Sequence, residues 1–381
     1  MANLRKKFKA RPSQRSYIHP FLIPLHAPTG NMKATSHISV TLLLFVALSC
    51  ISRPAAAITL HPDTIAKAGK FPAFCMRAYS WVDRFFNSTD TAYVGATGYK
   101  MNIKLKSSSW ADINEFYFDS DHRMKMQSPY CSSIGFDVQY LAIALGYDIN
   151  INRLMGGNDR SKSRFNFELS SALLSARLYS IKNHDGMTIR RFGDNSNLWL
   201  DFSDMSTSLW GIDATYIFNH RKYSSSAAFS FGKIQKRSQG SFLLTFAYQS
   251  QKMEFDFNSL PDEVHSWLPD EWKGRIYAAS GHNISLGGGY GFNWVPCRNI
   301  TIGLMAQILP SLSHGYINSP HKVYSFRMSY RGGLSAVWNQ DRWFVGASAK
   351  ADASFIYSRS STLTNALVNF DIKAGWRFNL F

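Results

Sequence analysis

The chain has 381 residues, 45% of them hydrophobic, with a mean hydropathy of −0.19. It is long enough for one large domain or two ordinary ones and too polar for a bundle of membrane helices. The formal net charge of +17 does not mark a nucleic-acid binder, because residues 1–57 hold eight basic residues and no acid, and the remaining cations form no domain-scale stripe.

Residues 1–31 fit no structural pattern and are expected to be a non-native upstream extension, with translation starting at Met32. From there the pattern is that of a secretory signal peptide over 32–57: Met32-Lys33, an apolar run from Ile38 to Ile51, then Ala55-Ala56-Ala57, with cleavage after Ala57. The apolar run is shorter than the roughly 20 residues of a spanning helix. A lipoprotein reading through Cys50 has only a poor lipobox before it. Three cysteines come later (Cys75, Cys131, Cys297), too few for a disulfide framework and without zinc-ligand spacing.

Residues 58–96 form an N-terminal helix and linker. Phe74, Ala78, Trp81, Val82 and Phe85 recur at helical spacing, which predicts an amphipathic helix over 73–86. It is expected on the rim or in the mouth of a barrel formed by the rest of the chain.

From residue 97 to 381 the period changes to two. Tyr99, Met101, Ile103 and Leu105 alternate with Lys100, Asn102 and Lys104, and a weaker strand covers 113–118. Further strands lie near 134–138, 141–149, 165–179, 210–218 and 242–248. Five clear ones end the chain, at 282–294, 299–309, 323–338, 342–358 and 363–380. One face of each is apolar and rich in aromatics, the other polar. The fold class predicted is all-β: an antiparallel transmembrane β-barrel of about twelve strands, with lipid outside and water inside. The surplus of 28 Phe, 18 Tyr and 10 Trp is what interfacial girdles would use, and less often what a large soluble β-protein carries. An even count puts both termini on the periplasmic side and the loops at 180–205, 256–281 and 310–322 outside. The outward series ends Trp376, Phe378, Leu380, so Phe381 falls out of phase.

One connection is too long for its side. Residues 219–240 carry His220, Arg221, Lys222, Lys233, Lys236 and Arg237 and no acid. Three readings stay open: a solvated periplasmic loop, a plug whose cations meet Asp137, Asp148, Asp213 and Asp371, or a catalytic or anion-binding site. The predicted lumen carries both signs, with Lys100, Lys104, Arg327, Arg331, Lys350, Lys373 and Arg377 against Asp137, Asp148, Glu168, Asp213, Asp352 and Asp371. That mixture points to salt-bridge ladders in a largely filled barrel more than to a selective pore. No enzyme is expected: Ser285 and His282 fall on opposite strand faces, and no Gly-x-Ser-x-Gly elbow occurs. The repeated Pro-Asp-Glu at 261–263 and 269–271 reads as solvated loop before it reads as a calcium site. No metal or cofactor motif is present, and no cofactor is expected.

Several segments resemble an uncharacterised family of outer-membrane proteins from the Bacteroidetes, the domain of unknown function 4421. These are Asp90-Thr91-Ala92-Tyr93-Val94, the hairpin from Ile134 to Ile149 with Leu145-Gly146-Tyr147-Asp148, and Tyr216 to Ser224 continuing through Gln235 to Ser241. The resemblance covers about residues 75–381. It implies a bacterial outer-membrane barrel and supplies no activity, substrate or catalytic residue. The expected function is a structural or narrow, plugged, porin-like channel. The alternatives are a surface barrel that binds a ligand or partner through its outer loops, and a membrane-embedded lipid hydrolase. The expected partners are outer-membrane lipid and the barrel assembly machinery, with no nucleic acid; the solute or surface partner stays unknown.

Overall fold

The computed structural model describes residues 85–379 apart from 119–121, 141–142, 152–162, 185, 318–322 and 358–361. The leader, the signal peptide, Cys75, Leu380 and Phe381 lie outside the described residues, as does the 73–86 helix except for Phe85 and Phe86 at its helical end. The strands in chain order are β1 (Val94–Gly95), β2 (Met101–Tyr117), β3 (Arg123–Gln127), β4 (Cys131–Tyr140), β5 (Ile143–Asn150), β6 (Ser163–Ser170), β7 (Leu174–Asn183), β8 (Met187–Phe192) and β9 (Asn195–Phe202). Next come β10 (Met205–Ile217), β11 (Ile234–Gln235), β12 (Gln239–Asp256), β13 (Ile276–Cys297), β14 (Ile300–Ile317), β15 (Val323–Gln340), β16 (Trp343–Tyr357) and β17 (Thr362–Phe378).

Twelve of these make the wall, paired antiparallel in the order β2, β4, β5, β6, β7, β10, then β12 to β17. The last pairs with the first from Thr362↔Tyr117 to Phe378↔Met101, so the pairing returns to its start. Each wall strand is thus paired on both sides, as hydrocarbon demands of a sheet, though β5 and β6 pair only from Ile143↔Leu169 to Leu145↔Phe167. The long strands form because β-branched and aromatic residues alternate with small and polar ones. Along β13, Ile284, Leu286, Tyr290 and Trp294 are exposed on the outer face, while Asn283, Ser285 and Asn293 are buried on the inner one. Leu304, Leu312, Phe326, Leu334, Phe370 and Trp376 continue the exposed apolar surface on neighbouring strands.

The wall has twelve strands, but two of those expected from the sequence are drawn differently. The separate strands at 97–105 and 113–118 are one, β2, because Lys106 to Asp112 keep the extended pairing with β17. The single strand at 165–179 is two, β6 and β7. Ser171 turns the chain between them, its Oγ accepting from Leu174 N at 2.9 Å and donating to Leu174 O at 2.7 Å. The two differences cancel in the count. They move the hairpin after β4 to the end that carries the termini, the turn end; the opposite end is the loop end. The tight turns near 297 and 340 lie at the turn end, as Arg298–Asn299 and Asp341–Arg342.

Beyond the ring, β2 branches. Its first half pairs with β4 and its last five residues pair with β3, which leads to β8 and then β9. The expected outer loop at 180–205 is therefore largely strand. The one at 256–281 contains a short helix, α1 (Asp262–Trp267), with Asp262 and Glu263 in its first turn. There they face the partial positive charge of the helix start. Asp270 pairs with Lys273 at 2.7 Å, and that ammonium holds its exposed carboxyl below the usual range. Both Pro-Asp-Glu repeats thus serve local structure.

Candidate functional site

The lumen is occupied in three tiers. At the loop end, Phe116, Phe255, Phe257, Trp272, Tyr277, Phe192, Phe202, Met253 and Val264 form one buried apolar cluster. Phe116 stands on β2, six positions round the ring from β12, yet its ring centroid is 5.7 Å from that of Phe255. It also lies 5.1 Å from Tyr277 of β13 and 5.2 Å from Trp272. Side chains from opposite walls thus meet and exclude water. Part of the aromatic surplus that interfacial girdles would use thus stands inside, under the branch of β2 and α1.

The middle tier is ionic. Asp213 on β10 accepts from Arg177 Nη2 of β7 and from Arg331 Nη2 of β15, each at 2.8 Å. Arg331 Nε also donates to Asp352 at 2.7 Å. Tyr179 accepts from Gln249 at 2.6 Å, and Arg327 donates to Gln251 at 3.1 Å. Asp137 and Asp148 are held by Lys106, at 3.7 Å and 2.7 Å. Asp371 is buried in the same wall.

The turn-end tier is the 219–240 connection. Ser224 to Phe231 are buried apart from a partly covered Ser225, with a single π-helical turn at Ser226–Ser230. The carbonyls that such a turn leaves unpaired are taken by the wall. Lys104 Nζ donates to Ser230 O at 2.8 Å and Arg377 Nη2 to Phe231 O at 3.3 Å. Phe231 is fully buried against Val337 and Phe344 and adopts a left-handed φ of 60°. That conformation costs a bulky residue about 1–2 kcal/mol and persists only where the surroundings over-determine it. The inserted side chains sit where the wall has none: a Cβ at Gly291 would overlap Tyr223, one at Gly303 would overlap Ala228, and one at Gly346 would overlap Phe231. Burial pushes the Tyr223 phenol up.

The cations of this connection do not meet the four aspartates. Arg221, Lys222, Lys236 and Arg237 are exposed at the turn end, and His220 and Lys233 are half-buried. Lys222 and Arg237 flank the ring of Tyr93 at 5.0 Å and 5.5 Å, Lys236 donates to Thr91 O at 2.9 Å, and β11 pairs with β1. The inserted part is small and aromatic because desolvating five cations costs more than burying Ala227, Ala228, Phe229 and Phe231. The cations stay in water and tie the connection to the N-terminal segment. Lys100, expected in the lumen, is exposed at the turn end. Arg177, Tyr179, Gln249 and Lys106 were missed; the first two lie where two strands had been merged into one.

Ser285 and His282 do not pair. Ser285 Oγ bonds Ser311 Oγ at 2.6 Å inside, while His282 Nδ1 bonds Tyr248 Oη at 2.8 Å on the outer face. Among the described residues no group of three or more His, Cys, Asp or Glu could hold a metal.

Gly303→Leu is expected to overpack this seat by about 1–3 kcal/mol. Limited trypsinolysis of the folded protein should then cut faster at Lys233, and an unchanged cutting rate would mean that the wall does not seat the connection.

A ring of twelve antiparallel strands, apolar outside and polar within, is a transmembrane β-barrel of the outer-membrane type. The chain belongs to the family described as a domain of unknown function, DUF4421, whose model matches residues 88–378. No curated protein matches it in sequence. Among solved structures it is similar to the outer membrane protease OmpT of Escherichia coli, at 7% identity and a TM-score of 0.33 over 73% of this chain and 96% of that one. It is also similar to the translocator domain of the autotransporter NalP of Neisseria meningitidis (10%, 0.28, 85% and 100%) and to the Pseudomonas putida toluene transporter TodX (8%, 0.22, 74% and 91%). At these identities the likeness concerns the fold alone.

Proposed function

We propose that the protein is a bacterial outer-membrane barrel with no standing pore, a closed scaffold that presents its loop-end lobe of β3, β8, β9 and α1 outside the cell. The observation that carries this is the contact of Phe116 with Phe255 and Tyr277 across the lumen. An aqueous path needs a continuous polar bore, and here an apolar tier, an ionic tier and an inserted connection stand in series. The exposed outer face, with Leu286 and Leu312 58% and 56% accessible, fits lipid, since a soluble surface does not carry so wide an apolar band. Catalysis is no part of this reading.

Planar-bilayer recording tests it. The intact protein should give no steady conductance. Deleting 224–233 alone should leave the bilayer silent, because the apolar tier still blocks the path. Only the deletion combined with Phe116→Ala and Phe255→Ala should conduct. Steady single-channel steps from the intact protein would overturn the reading. A second reading, a gated channel, is favoured by one feature: the connection is tied to the N-terminal segment through the two-residue pairing of β1 with β11. Steps appearing on the single deletion would support it instead.

A further inference from the structure

Within the ionic tier, on its loop-end side, lies a chamber of about 80 Å³. Arg177, Tyr179, Gln249, Arg331, Lys350 and Asp352 line it. We propose that this chamber is a binding site for one small monovalent anion of halide size, held by the Lys350 ammonium. The inference shares with the filled-barrel reading a packed interior and does not require that the path through it be closed.

Lys350 is what singles the site out. The other cations lining the chamber are matched: Arg331 by Asp213 and Asp352, Arg177 by Asp213. Lys350 makes no hydrogen bond and has no carboxylate within ion-pair distance among the described residues, and its Nζ rests 5.4 Å over the ring of Phe229. Its ammonium donates and never accepts, and beyond the Phe229 ring it has no matched acceptor. Half-buried at the edge of the chamber, it is steadied by a partner with lone pairs. The nearest charged neighbours that line the chamber with it include two guanidinium groups, so an acceptor there sits in a positive local field. An anion fits that field better than a neutral molecule does, and Asp352, the lining carboxylate, is already turned to Arg331.

Volume sets the class of ligand. Pockets for drug-sized molecules run to about 300–1,000 Å³. A chamber of 80 Å³ holds an ion and one or two waters. Chloride and bromide fit; a sugar acid such as gluconate does not. Phe229 of the inserted connection lies outside the chamber but touches Lys350, its ring 5.4 Å from Nζ.

The test uses crystals of the full protein soaked in bromide, read by anomalous scattering, alongside Lys350→Met. Methionine matches the length of the side chain and removes the charge, so the variant should fold; unchanged heat-modifiable gel migration checks that it does. A bromide peak within hydrogen-bonding reach of Lys350 Nζ is expected in the parent, and its disappearance in the variant. No peak in the parent, with water density alone in the chamber, would overturn the proposal. So would a peak that persists in Lys350→Met. In solution, the parent should unfold at higher temperature in sodium bromide than in sodium gluconate of equal ionic strength, and the variant should show no difference. A parent with no such difference counts against the site. Because neither readout uses conductance, a barrel that conducts and still holds bromide at Lys350 would refute the closed-scaffold reading and leave the anion site standing.

Discussion

Asp213→Ala is expected to destabilise the barrel by about 3–5 kcal/mol, the typical effect of removing one partner from a buried ion pair. The carboxylate is 4% exposed and receives Arg177 from one side of the lumen and Arg331 from the other. Deleting it leaves two guanidinium groups facing one another, with Asp352 to hold only Arg331. The loss comes chiefly from that uncompensated charge rather than from the hydrogen bonds. Asp213→Asn keeps an acceptor and should fall between the parent and Ala. Denaturant unfolding in detergent micelles, followed by heat-modifiable migration, measures both. Asp270→Ala, at an exposed i,i+3 pair screened by water, is the control and should leave the unfolding midpoint where it is. An Asp213→Ala protein as stable as the control would mean that the middle tier is not dry.

Phe116→Ala has the next largest expected effect, about 3–5 kcal/mol from lost burial and the cavity left behind. The ring is fully buried and lies edge-on to Phe255, Phe257, Trp272 and Tyr277. Its neighbours hang from different strands and from the loop after β12, so they cannot close in together. The same assay measures it, and Phe116→Leu should recover most of the loss. If instead Ala at 116 leaves the unfolding midpoint in place, the loop-end cluster is not a packed core.

The wall was legible in the sequence because lipid on one side and a polar interior on the other impose a strict period of two, clearest where Ile284 to Trp294 and Val368 to Trp376 face outward. The interior was not legible, for two reasons. Glycines at 291, 303 and 346 read as the small members of a polar face, and nothing along the strand shows that another segment's side chain occupies each vacancy. An apolar run such as Met253-Glu254-Phe255-Asp256-Phe257 alternates whether its apolar side meets lipid or a core. Only the branch of β2, a tertiary event, decides that it turns inward. The cations of 219–240 were a sound sign that this connection is unusual, but they mark its exposed base, and the quiet stretch Ser226 to Phe231 is what enters.

Lys104 and Arg377, which take the last two carbonyls of the inserted turn, stand on the first and the last strand of the wall. Those strands meet at the seam that must zip shut when the cylinder is completed. The inserted turn therefore clasps the seam from within, and without it Lys104 and Arg377 keep only their wall acceptors, Gln139 and Asn339 with Asp341. Each carbonyl that the turn offers to the join favours the closed cylinder, so the middle of the chain helps hold its two ends together.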